Sequence, residues 1–295
     1  MRSFSKIIGL VAVGAAFTVA AAPVCNTADL IHRWSFNGTL EDSVGGLTAT
    51  ASGNTAFNSP SDPTAIRLYG TGHATASVNL GAGIVPASGG PITIEIWATQ
   101  HTEQNWSRIF DFGPDNQNYV LMSWTQGSYL RSDAVEVKAS NTTLLRADHE
   151  LQPYDFDVPY HISLTLVQTS DGKATLAWAK RDTLTGAVLR SGRNTTSAAW
   201  SIANIANWTS CYLGRSQFEA DFDADATYDE VRIWKTALTD EHLGALQDCG
   251  AAGFVSDGSD AFFEKPDKAP ELVYDRARFA ALRAFAVSPR FGVRL

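Results

Sequence analysis

Long apolar runs are missing from this sequence after its first 22 residues, so no later segment is fitted to cross a bilayer as a helix, which takes about 20 such residues. Basic residues are also in short supply: 23 Lys and Arg face 31 Asp and Glu. Within residues 23–249 the balance is 14 bases against 25 acids, or −11. Such a surface repels a phosphate backbone, which argues against nucleic acid as a partner and suits cations or neutral glycans better. Cysteine is scarce and odd in number, with Cys25, Cys211 and Cys249. In an exported chain that implies one disulfide and a leftover thiol, or no bond at all. There is no Walker-type phosphate loop, no Gly-x-Ser-x-Gly elbow and no metal-hydrolase histidine motif. The six histidines, at 32, 73, 101, 149, 161 and 242, stand singly. No period of 20–50 residues repeats, which excludes propellers and solenoids.

What is present begins with MRSFSKIIGLVAVGAAFTVAAA: two early bases, an apolar run from Ile7 to Val19 and a small-residue site at Val19-Ala20-Ala21. These are the parts of a signal peptide, here over residues 1–21, so the chain is expected to be secreted, or periplasmic or surface-held in a bacterium. Pro23-Val24 before Cys25 replaces the small residues of a lipobox, so a lipid anchor is not expected. After a short lead, 22–28, strand signals recur from residue 29 to 235. Apolar residues alternate in LIHRWSFN, ITIEIWAT and YHISLTLV, and further short runs stand at 66–69, 75–80, 108–113, 119–124, 134–139, 174–180 and 186–191. Clusters such as SGNTAFNSPSDP separate them. Many short strands with turn signals and almost no helix predict an antiparallel β-sandwich.

The stretch ATYDEVRIWKTALTDEHLGAL, 226–246, closes that domain. Val231 and Ile233 point to one face of a strand, with Glu230, Arg232 and Trp234 on the other. Thr239 is a helix N-cap, Asp240 and Glu241 suit the positive end of the helix dipole, and Leu243 and Leu246 give the helix an apolar side. Taken with ITIEIWATQ, RIFDFG, CYLGRS, LIHRWSFNGTLEDSVGG and IRLYGTGHATASVNLG, it resembles the laminin-G-like, concanavalin A-like jelly-roll superfamily over roughly residues 29–247. The resemblance implies an all-β, two-sheet sandwich, used mostly by glycan-binding, adhesive or scaffolding modules and by a minority of glycosidases and lyases. Residues 29–249 therefore form the expected domain, 250–270 a linker with Pro266 and Pro270, and 271–295 a helical or disordered tail in which five arginines and no acid follow Asp275.

Acids cluster in FEADFDADATYDE. Asp221, Asp223 and Asp225 alternate as oxygen ligands of a calcium ion do, but without the Gly and distal Glu of an EF-hand. Asp42 and Asp229 are the second expected pair, because the first and last strands of a jelly roll are often neighbours, and laminin-G-like modules often carry one calcium. Glu219-x-Asp221-x-Asp223 also hints at the paired carboxylates of a retaining glucanase. It places Asp where those enzymes use Glu, and reads as a loop before the last strand. Trp34, Trp97 and Trp234 read as core, whereas Trp106, Trp124, Trp200 and Trp208 fall at strand ends or in Asn-rich loops. There an exposed ring can stack on a sugar, with Asn116, Gln117 and Asn118 as hydrogen-bonding neighbours to Trp106, Trp124 and Trp208. Cys25 and Cys249 flank the domain and are the expected disulfide, with Cys211 left buried and free. The expected function is a secreted, non-enzymatic module that binds glycan or a surface or matrix protein, with possible calcium stabilisation. The alternatives are an extracellular assembly protein acting through protein contacts and, third, a glycoside-active enzyme.

Overall fold

A computed structural model describes residues 27–59, 62–127, 131–150 and 153–248. Its strands are, in order, β1 (Leu30–Trp34), β2 (Thr50–Gly53), β3 (Thr55–Ser59), β4 (Asp62–Tyr69) and β5 (Ala76–Asn79). Next come β6 (Ile92–Gln100), β7 (Arg108–Asp115), β8 (Asn118–Ser123), β9 (Arg131–Ala139) and β10 (Thr142–Glu150). The last five are β11 (Pro159–Gln168), β12 (Ala174–Asp182), β13 (Val188–Thr195), β14 (Cys211–Leu213) and β15 (Asp225–Trp234). A helix, α1 (Asp240–Asp248), follows β15, and a short 3-10 turn at Ile202–Asn207 precedes β14.

The strands form two antiparallel sheets packed as a sandwich. An eight-stranded sheet runs β13-β12-β11-β6-β15-β4-β3, with β1 paired to the C-terminal half of β15. The other sheet is seven-stranded, β10-β9-β8-β7-β14-β5-β2. The alternation visible in the sequence sets which face is buried. Ile92, Ile94 and Ile96 of β6 meet Ile162, Leu164 and Leu166 of β11, and Val120, Met122 and Trp124 oppose them from the second sheet's inner face. The register slips by one residue at Asp229, where β15 bulges against β6. That bulge lets Tyr228, Val231 and Ile233 all join the core while Glu230, Arg232 and Trp234 take the outer face.

The helix begins where its cap was expected. The Thr239 hydroxyl accepts the His242 backbone N–H at 3.2 Å, Leu246 packs on Leu30 and Trp234, and Arg181 donates to Asp240 at 2.7 Å. Four elements were not foreseen: β2, β3, β10 and the 3-10 turn. The segment taken as a turn cluster, residues 52–63, contains β3. All three unforeseen strands are edge strands. An edge strand buries less side-chain surface, so it needs no sustained apolar alternation. The expected signal peptide, the Cys25–Cys249 pair, the linker and the tail lie outside the described residues. Cys211 is buried and free, and burial pushes its thiol pKa up.

Candidate functional site

Strand directions bring the loops after β4, β6, β8, β10, β12 and β14 to one end of the sandwich. Three of these loops are stitched together. The 214–224 loop is closed by Ala224 N–H to the Gly214 carbonyl at 2.6 Å and by Asp223 N–H to the Gly72 carbonyl at 2.8 Å. Its Phe222 N–H then donates to the Asn105 carbonyl at 3.1 Å, joining it to the 101–107 loop. The side chains next to that bond are the exposed Trp106, at 36%, and Phe222, at 39%. Trp106 holds a left-handed backbone, φ 58°, and its ring lies over Gly127, where a Cβ would come within 2.9 Å of it. The Arg108 guanidinium donates to the Trp106 carbonyl at 2.5 Å, fixing the loop from below. Phe156 is a third exposed aromatic in this set of loops.

Arg108 is shared. It also donates to Asp221 at 2.5 Å, and its Nε lies 3.5 Å from Asp111. Asp111 is fully buried on the outer face of the seven-stranded sheet. There Tyr212, Asp111, Leu121, Glu136 and Arg146 form one row across neighbouring strands. One Asp111 oxygen accepts the Gln217 N–H at 3.1 Å; the other has no hydrogen-bond partner. Burial raises the Asp111 pKa to about 7, against the pull of Arg108 and the Gln217 N–H, with the neighbouring Asp221 adding to the rise. Two carboxylates here share one fixed positive charge.

The five carboxylates expected to hold calcium are each engaged elsewhere. Asp221 accepts from Arg108 and from the Ser216 hydroxyl at 2.7 Å. Asp223 takes the Thr75 and Ala76 N–H groups at 2.6 and 2.8 Å. Asp225 pairs with Arg67 and accepts the Thr102 hydroxyl at 2.7 Å. Asp42 accepts the N–H groups of Arg33, Val44 and Gly45 at 2.8, 3.0 and 2.9 Å, and meets the His32 ring at 2.6 Å. Burial works to raise the Asp42 pKa, but the His32 and backbone bonds together hold it below its usual value. Asp229 lies in β15 at the bulge and not in a turn. Among the described residues no group of three or more His, Cys, Asp or Glu is placed to hold a metal. The residues therefore do not gather into one calcium site: Asp42, Asp221, Asp223 and Asp225 are each held by a different arginine, histidine or set of backbone donors. Glu219, Asp221 and Asp223 lie in the loop before β15, not along a strand, so the glucanase arrangement is absent from them.

The aromatic platform expected from the sequence is split. Trp106 is exposed, but Trp124 and Trp208 belong to the core cluster, Trp124 edge-on to Tyr154. Trp124 continues the inward set of Val120 and Met122, so period-two alternation buries it. Asn116, Gln117 and Asn118 form the β7–β8 turn with Asp115, whose carboxylate caps it at 2.8 and 2.9 Å. Trp208 lies before β14 at the same end as that turn. The eight residues of β7 separate this end from Trp106, which at about 3.3 Å per residue is roughly 25 Å. Phe222 is inconspicuous in the sequence because it stands among acids whose alternation points to a metal. Its signal was an aromatic placed in a loop that has no apolar alternation to bury it.

No protein-family model matches the chain, and neither does any curated protein. Solved structures do. One is domain 4 of AbnA, a GH43 extracellular arabinanase from Geobacillus stearothermophilus, in complex with arabinotriose: 18% identity, TM-score 0.54, covering 74% of this chain and 98% of that one. Another is the binding domain of botulinum neurotoxin DC in complex with rat synaptotagmin II: 14% identity, TM-score 0.52, covering 76% of this chain and 52% of that one. A third is a botulinum neurotoxin type C structure, described in terms of interaction with two ganglioside molecules: 12% identity, TM-score 0.50, covering 75% of this chain and 51% of that one. This chain thus spans the whole arabinanase domain but about half of the toxin chains. At these identities the likeness is one of fold: a two-sheet β-sandwich.

Proposed function

We propose that the chain is an exported, non-enzymatic glycan-binding module that takes sugar at the loop end of the sandwich. The observation that carries this reading is the pair Trp106 and Phe222, two exposed rings presented by hydrogen-bonded loops. Rings so placed stack on the apolar face of a pyranose or furanose, and polar side chains around them hold its hydroxyls. Gln104 and Asn105 stand on the Trp106 loop. Folds similar to this one have been solved with arabinotriose bound and in the context of ganglioside binding, which favours the same use here. Glycan-array screening of the mature chain, followed by titration of the best hit, tests it. Trp106→Ala and Phe222→Ala are each expected to weaken binding by about 1–2 kcal/mol, or roughly five- to thirtyfold, without lowering the melting temperature. Unchanged affinity in both variants refutes the site.

A second reading, assembly through protein contacts, has its own observation. Val188 and Leu189 are exposed neighbours on β13, an edge of the eight-stranded sheet. Exposed apolar edges template pairing with another chain. Light scattering of Val188→Lys against wild type tests it: a wild-type oligomer that the lysine disperses supports this reading.

A further inference from the structure

The loops that gather at this end are as distinctive in charge as in shape. Loops 70–75, 101–107, 124–127, 153–158, 183–187 and 214–224 contain Glu103, Asp155, Asp157, Glu219, Asp221 and Asp223 against Arg215 alone among Lys and Arg. Glu103, Asp155, Asp157 and Glu219 are exposed. Among the described side chains at the adjoining strand ends, Arg108 is committed to Asp221, Arg67 to Asp225 and Arg181 to Asp240. The two histidines of these loops are engaged as well. His101 bridges Asp157 and Thr227 at 2.6 and 2.7 Å, and His73 meets the Asp221 carbonyl at 3.3 Å. Arg215 lies over the Tyr212 ring, 5.1 Å from its centroid. Among the described residues the buried Asp223 keeps an oxygen without a donor, while its other oxygen holds the 75–76 backbone. The end therefore has a surplus of hydrogen-bond acceptors and negative charge around two exposed ring faces.

We propose that the sugar bound at this end carries a free, protonated amine, so that the ligand class is an amino-sugar oligomer and not a sialylated or uronic-acid glycan. The inference rests on the glycan reading above and narrows it. An ammonium group has three donors and no acceptor, which complements a site rich in carboxylates. It is also attracted to the faces of Trp and Phe rings, so the platform that stacks the sugar contributes to holding its charge. An acidic glycan meets Glu103, Glu219, Asp155 and Asp157 with like charge, and electrostatic selection against wrong ligands works in this way.

The test is calorimetric titration of the full mature chain with a glucosamine trimer, an N-acetylglucosamine trimer and sialyllactose, at pH 6 and low salt. The glucosamine trimer should bind at least about tenfold tighter than its acetylated counterpart, and the advantage should fall steeply toward 0.5 M salt as screening shortens to a few ångströms. Sialyllactose should show no binding. Glu103→Gln with Glu219→Gln should reduce the tenfold preference to about threefold, whereas Trp106→Ala should weaken both trimers. Equal binding of the two trimers overturns the amine inference and leaves the glycan reading standing. Binding of neither trimer, with an empty glycan array, sinks both. Trilysine binding as tightly as the glucosamine trimer, and indifferent to Trp106→Ala, also overturns the inference, because the end would then select charge and not sugar.

Discussion

Replacing Asp111 by asparagine should stabilise the protein at alkaline pH and leave it nearly unchanged in acid. In the folded chain burial pushes this carboxyl up to about 7, against 3.8 for an exposed aspartate. Between those values the folded state holds a proton that the unfolded state has released. Stability from this group is therefore complete below about pH 4, is lost as pH rises through about 7, and is flat above. At 1.36 kcal/mol per pKa unit the loss comes to about 4 kcal/mol. Asparagine cannot ionise and keeps an oxygen for the Gln217 N–H, and Arg108 keeps Asp221 and the Trp106 carbonyl as acceptors. Asp111→Asn should thus melt roughly 8–16 °C above wild type at pH 8, at about 2–4 °C per kcal/mol for a domain of this size, and within about 3 °C of it at pH 4. Scanning calorimetry at pH 4, 6 and 8 decides. The opposing effect is the cost of breaking a buried ion pair, about 3–5 kcal/mol when one partner is removed. If that dominates, the variant melts lower than wild type at pH 8. That result would show Asp111 to be an ionised partner of Arg108 and refute the reasoning.

Three further outcomes follow from the same contacts. Melting in calcium and in EDTA should agree within about 1 °C, because Asp42, Asp221, Asp223 and Asp225 are each tied to different partners and do not converge on one point; a shift of several degrees that Asp229→Asn abolishes would restore a metal site beside β15. Cys211, buried with a raised pKa, should resist alkylation in the native protein and react on unfolding, and labelling at native-state speed would contradict its burial. Thr239→Ala should cost about 1 kcal/mol through loss of the α1 cap, read as a drop in denaturant midpoint at unchanged slope.

Much of the fold was legible because its inner strands are buried on at least one face. Ile92-x-Ile94-x-Ile96 and Ile162-x-Leu164-x-Leu166 announce themselves by alternation, and they turn out to be direct partners in the middle of the eight-stranded sheet. The same logic hid β2, β3 and β10, which lie at sheet edges and show no sustained alternation; β10 buries Leu144 and Leu145 as a consecutive pair. Thr239 was readable as a cap since the helix start depends on four neighbouring residues and not on tertiary context. The bulge at Asp229 was not readable, because a two-against-one pairing is a property of two strands about 130 residues apart in the chain.

The site was less legible, and the acids show why. Asp221, Asp223 and Asp225 alternate in the sequence as metal ligands would, yet alternation only says that three carboxylates share a direction. What each one meets is decided by distant residues. Arg108 reaches Asp221, the Thr75–Ala76 backbone reaches Asp223, and Arg67 reaches Asp225. Each supplies positive charge or N–H donors to a carboxylate that a calcium ion would otherwise have to neutralise, and none is near the run in sequence. The run therefore acts as a fastener that ties one loop to three other segments. By fixing that loop it holds the Phe222 backbone against Asn105, next to Trp106. Distant contacts likewise decide which aromatics face solvent. A tryptophan at a strand end faces the core or the solvent according to a single step of register, and Trp124 stepped inward with Val120 and Met122. Trp106 faces solvent because a left-handed turn, propped on Gly127 and held by Arg108, lifts it off the sheet.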